Sequence, residues 1–114
     1  MKVLAHPDDF IPLYQKLKSE REKNKTMLEA IDAIKSQLER SDIPLGIHHK
    51  LKNIPKYYIS RYNVQVLYHF EMPYSHRLFY TIRRSKDGKE ALLLELLNHD
   101  EYNKRFNYYK KKSH

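Results

Sequence analysis

Apolar positions in the first third of the chain recur at helical spacing. Phe10, Tyr14 and Leu17 mark one short amphipathic stretch. Leu28, Ile31, Ile34 and Leu38 mark a second, where steps of three and four residues draw a single apolar stripe. Pro7-Asp8-Asp9 precedes the first stretch, placing an aspartate to cap a helix, and Pro12 is tolerated in its first turn. "TMLE" (26–29) precedes the bulk of the second and has capping-box spacing, so that Thr26 and Glu29 satisfy each other's free amides. With "KVLA" (2–5) read as a short strand, the pattern predicts a strand followed by an antiparallel helix pair.

"SDIPLG" (41–46) ends this regime with Pro44 and Gly46. "IHHKLKNIPKYYISRY" (47–62) contains Pro55 and reads as irregular chain or a short helical turn. Three β-rich runs follow, "VQVLYHFEM" (64–72), "HRLFYTIRR" (76–84) and "ALLLELL" (91–97), separated by "PYS" and by a turn at Asp87-Gly88. Asn98 to Glu101 can cap a last helix running through Phe106, and residues 107–114 read as a frayed basic tail. The expected fold is one α+β domain over residues 1–114. It has a helix pair on a small, mainly antiparallel sheet, in the order βααβββ with a short C-terminal helix.

Charge divides the chain at the same place. Residues 1–45 hold eight Lys/Arg and eight Asp/Glu, whereas residues 46–114 hold fourteen against six, which accounts for the whole net charge of +8. Ten aromatic residues lie between Tyr57 and Phe106 in that cationic part, a mixture that suits a polyanion with stackable bases, or a solvated basic surface around an aromatic core. The chain has no cysteine, which excludes disulfides, thiolate metal sites and thiol nucleophiles and fits a reducing, cytoplasmic setting. No run has the length of a signal peptide or membrane span, so no membrane partner is expected.

Several kinds of chemistry are excluded in turn. Two glycines, Gly46 and Gly88, cannot build a phosphate-cradling loop, and there is no G-x-S-x-G elbow. His48 and His49 would point to opposite sides of an extended chain, a poor start for chelation, so neither metal nor cofactor is expected. Cleavage of RNA through its own 2′-hydroxyl needs no cofactor, only a base, a cation beside the phosphate and an acid for the leaving oxygen. Arg77, at the entrance of "HRLFYTI" (76–82), suits the second task, with Lys50, Lys52, Arg83 and Arg84 as further phosphate contacts. His49, His76 and His99 can titrate near neutral pH. The plain alternative for Arg77 is an edge-strand charge that keeps the sheet soluble.

"HRLFYTI", "ALLLELL" and "NHDEYNKRF" together resemble the C-terminal half of the RelE/ParE toxin superfamily, in particular its YoeB-like and archaeal RelE-like branch. The resemblance implies the βααβββ fold and a toxin of a type II toxin-antitoxin pair. Such a toxin is most often a ribosome-associated mRNA endoribonuclease (mRNA interferase), with mRNA, the ribosome and a separate antitoxin chain as partners. It implies that Arg77 contacts the scissile phosphate, that His99 or Tyr102 is the general acid, and that His49 or Lys52, with Lys50 nearby, serves as base. Lys50, Arg83, Arg84 and the tail lysines Lys110, Lys111 and Lys112 would hold RNA. Two departures stand out: Glu71 occupies the place of a second arginine and would repel phosphate, and "KYYISRYNV" (56–64) is extra. They leave open a non-catalytic nucleic-acid-binding or protein-interaction domain on the same fold, including a gyrase inhibitor of the ParE kind or an inactive toxin descendant.

Overall fold

The structure, a computed structural model, is described for residues 1–106; the expected basic tail, with Lys110, Lys111 and Lys112, lies outside the described residues. The elements in order are β1 (Lys2–Ala5), α1 (Ile11–Ser19), α2 (Lys25–Glu39), β2 (Ile47–His49), α3 (Lys56–Tyr62), β3 (Leu67–Met72), β4 (His76–Ser85), β5 (Gly88–Leu97) and α4 (His99–Arg105). The strands form one sheet in the order β1-β5-β4-β3-β2, antiparallel except that β1 runs parallel to β5. The α+β class is as expected. Among the described residues no helix is long and apolar enough to cross a membrane.

β4 and β5 are buried on both faces, which is why their sequences read as continuous apolar runs rather than alternating ones. On one face α1 and α2 cover a core of Phe10, Met27, Ile31, Ile34, Leu38, Leu78 and Tyr80. On the other, α3 and α4 cover Tyr58, Leu67, Phe79, Leu94, Leu97 and Phe106. That second layer is the largest departure from the sequence reading. Residues 47–62 form an edge strand, a 3-10 turn at Leu51–Asn53 and a helix, because Pro55 sits at the N-cap of α3 instead of breaking a helix. Asn63, left-handed at φ 53°, stops α3 after Tyr62.

Two expected helix caps are replaced by longer-range contacts. At α1, His6 Nδ1 accepts from the backbone N–H of Asp8 (3.3 Å) and Asp9 (3.2 Å). This frees the Asp9 carboxylate to accept from Arg61 Nη2 of α3 at 2.6 Å and from the Tyr62 hydroxyl. These hydrogen bonds, Arg61's foremost, hold the Asp9 carboxyl down at about 2. The Thr26/Glu29 box falls inside α2, which begins a residue earlier with Asn24 at its N-cap position; the Asn24 amide donates instead to Leu17 O and Glu20 O at the end of α1. The box at Asn98 and Glu101 does form, with reciprocal bonds of 2.9 and 2.8 Å. β3 begins at Leu67, three residues later than its apolar pattern.

Residues 41–46 are tied down from within the core. The fully buried Tyr80 donates its hydroxyl to Leu45 O and accepts from Leu45 N at 2.9 Å. Burial pushes that hydroxyl up to about 12, so it stays a donor throughout the physiological range. Gly46 follows at φ +86°, where a Cβ would stand 2.6 Å from His69 O; only glycine lets the loop meet β3 this closely. Tyr80→Phe keeps the ring and strands both polar atoms of Leu45. We expect a loss of about 1–3 kcal/mol in urea unfolding, with the fold retained.

Candidate active site

The 3-10 turn Pro73–Ser75 holds Tyr74 and Ser75 at φ 60° and 59°, and this sharp reversal fixes the β3–β4 register. Glu71 therefore faces Arg77, and His69 faces Phe79. Because strand residues alternate, His69, Glu71, Arg77 and Phe79 all lie on the α3/α4 side. β2 adds His49 opposite Leu67 on the same side, while His48 packs against the Tyr68 ring on the other, as the alternation of an extended chain requires. From α4, the Tyr102 ring stacks on Phe79 and lies 4.1 Å beneath the Arg77 guanidinium. The register sets the site.

Arg77 lies on an interior strand and its side chain is only 19% exposed, so the edge-charge explanation fails. Its Nε stands 3.7 Å from Glu71 Oε2, and its Nη1 is buried without a hydrogen-bond partner. The Glu71 carboxylate also takes His69 Nε2 at 3.1 Å, and His69 Nδ1 meets His49 Nε2 at 2.7 Å. A carboxylate only accepts, so a neutral His69 carries its proton on Nε2 and accepts at Nδ1, and His49 donates from Nε2. The run His49–His69–Glu71–Arg77–Tyr102 is thus continuous across three strands and a helix. Burial foremost, then the charges of His69 and His48, depress His49 to about 4, so it is neutral at physiological pH and a weak base.

A β-bulge supports this arrangement. Phe79 pairs with Glu95 but Tyr80 pairs with Leu93, so Leu94 is inserted and both Leu94 and Glu95 turn toward the α3/α4 layer. An acid in the middle of "ALLLELL" thereby reaches Arg105 of α4 through two bonds, Arg105 Nη2 to Glu95 Oε1 (2.9 Å) and Nε to Oε2 (3.1 Å). The same guanidinium lies 3.6 Å over the Tyr57 ring of α3. Glu95, β5, α3 and α4 are locked as one unit.

The other sequence candidates are dispersed. Lys52 lies on the 3-10 turn and lines a groove with His49, next to the run from His49 to Tyr102 rather than in it. Lys50 precedes that turn and is exposed. His99 is exposed at the start of α4 and accepts from Asn103 Nδ2 at 3.2 Å, one helical turn from Tyr102. His76 bonds Tyr74 O at 3.0 Å and serves the turn. Arg83 and Arg84 stand at the opposite end of β4, six and seven residues from Arg77, or roughly 20 Å along a strand. Arg83 pairs with Glu90 at 3.7 Å there.

His69 and Glu71 are the residues sequence reasoning missed. The signal was the two-residue spacing in "LYHFEM" with a three-residue turn, which aims both at the face of Arg77; Glu71 was read for its charge alone. Among the described residues no three His, Cys, Asp or Glu side chains group closely enough to hold a metal ion. Comparison with protein-family models, with curated proteins and with solved structures gives no match for this chain.

Two acid steps are expected in urea midpoints measured against pH. A histidine whose folded value lies below its unfolded value of about 6.5 costs stability as pH falls through that window, because the unfolded chain binds the proton first. Stability should fall from about pH 6.5 toward 4 through His49, and again from about 4 toward 2 through Asp9. His49→Phe should flatten the upper step and leave the lower one. A parent protein equally stable at pH 6.5 and 4.5 would contradict the His49 assignment.

Proposed function

We propose that the chain is a metal-independent endoribonuclease, a toxin of the RelE/ParE kind that cuts mRNA on the ribosome and is held in check by an antitoxin on a separate chain. The observation that carries the reading is the pairing of a carboxylate and a guanidinium 3.7 Å apart on one sheet face, with the guanidinium seated on an aromatic ring. Glu71, 58% exposed, takes the proton of the RNA 2′-hydroxyl as general base, a role assigned here to Glu71 in preference to His49 or Lys52. The freed 2′-oxygen attacks phosphorus, the 5′-oxygen leaves with a proton from His99 or Tyr102, and the products are a 2′,3′-cyclic phosphate and a 5′-hydroxyl. Arg77 stabilises the charge that builds on the phosphoryl oxygens. His69, buried and bonded on both nitrogens, positions Glu71.

The ion pair does not account for Arg77. A partner at 3.7 Å contributes little to folding, while the ring of Tyr102 holds the guanidinium where it can exchange Glu71 for a phosphate. One observation favours a second reading, RNA binding without cleavage: Glu71 partly neutralises the cation that a phosphate would seek.

Purified protein incubated with translating ribosomes, followed by mapping of mRNA 5′ ends, tests both. New 5′-hydroxyl ends should appear with the parent. They should fall at least about a hundredfold with Glu71→Gln or Arg77→Ala, the scale of a lost general base or phosphate contact. Binding without new ends supports the second reading, and an Arg77→Ala protein as active as the parent sinks the mechanism.

A further inference from the structure

Beside the run from His49 to Tyr102, α3, the Leu51–Asn53 turn and the end of α4 enclose an open groove of about 850 Å³. Lys52, Lys56 and Lys104 line it from three different elements, and no carboxylate lines it among the described residues. Among the described residues none of the three lysines has an ion-pair partner, in contrast to Arg105, which Glu95 holds in the groove wall. His49 lies in the groove lining at one side and, through His69 and Glu71, connects it to Arg77. Three exposed ammonium groups lining one groove, with no carboxylate beside them among the described residues, give it a positive potential that favours an anion. The wall that carries Lys56 is part of the extra stretch "KYYISRYNV", so the groove is a feature of this chain's own α3.

We infer that this groove holds the phosphate backbone of a single RNA strand leading away from the scissile phosphate, with Lys52, Lys56 and Lys104 as the contacts. The inference rests on the ribonuclease reading for its choice of ligand and is tested apart from cleavage. A short fluorescent RNA made uncleavable by 2′-O-methylation is titrated with protein over about 50 to 200 mM salt, a range in which phosphate contacts reveal themselves by counterion release. Lys56→Ser/Lys104→Ser should weaken binding about tenfold or more and make the salt slope shallower by about 1.4, at roughly 0.7 per lost single-strand contact. Both lysines are exposed, and circular dichroism checks that the fold persists.

Lys16→Ser/Lys25→Ser, on the α1/α2 layer, removes the same charge elsewhere and should leave affinity within about twofold, since long-range charge is screened. If the two double variants behave alike, or if a duplex of equal length binds as tightly as the single strand, the groove assignment is overturned even when the parent cleaves RNA. If the slope changes as expected while Arg77→Ala still cleaves, the groove stands and the catalytic assignment falls.

Discussion

Phe79 and Tyr80 are neighbours in the chain and fully buried on opposite faces of the sheet. The rest of the structure depends on that placement. Tyr80 anchors the α1/α2 layer and, through Leu45, the loop that leads into β2; Phe79 anchors the α3/α4 layer through Tyr58, Tyr102 and Phe106. Burying two such rings is worth several kcal/mol each, about 25 cal/mol for every Å² of apolar surface removed from water. A slip of one residue would exchange their faces and lose both cores together. Arg77, two residues before Phe79, is thereby committed to the side of Tyr102 and Glu71.

That commitment decides what kind of cation Arg77 is. On a free surface an arginine and a glutamate at 3.7 Å would contribute almost nothing, because water screens them and both side chains lose freedom. Here the ring beneath holds the guanidinium at a gain of about 0.5–2 kcal/mol, so its orientation does not depend on Glu71. Glu71 in turn is oriented from behind by His69. Two groups that are each positioned independently and only loosely bonded to each other can admit a third between them.

How much of this was legible in the sequence depends on the range of each interaction. The stripe Leu28, Ile31, Ile34 and Leu38, the existence of β4 and β5 as strands, and the box at Asn98 and Glu101 are set by neighbours within a few residues, and all were readable; the second layer that buries the other face of those strands was not. Asp9 was not, since its partners Arg61 and Tyr62 lie more than fifty positions away and outcompete a local cap. Pro55 reads equally as a helix breaker or a helix start, and only the apolar surface waiting on the far side of the sheet selects the second for α3. Arg77 was found from its strand and its resemblance to a family. The placement of Glu71 beside Arg77 and His69 was not legible, because it depends on a cross-strand register that the sequence does not state.

The bulge at Leu94 ties these threads together. α4 has seven residues, too few to be stable alone, so its position comes from tertiary contacts. The Glu95–Arg105 pair is the most specific of these, and Glu95 reaches Arg105 only because the inserted residue turns it out of the alternation of β5. Arg105 then stacks on Tyr57 and fixes α3 against α4, closing the groove wall that bears Lys56 and Lys104. Three residues earlier on the same helix, Tyr102 supports Arg77. One extra residue in a central strand therefore sets the position of Arg77 and the walls of the basic groove at once. A change that disturbed the bulge would act on both even though it touched neither.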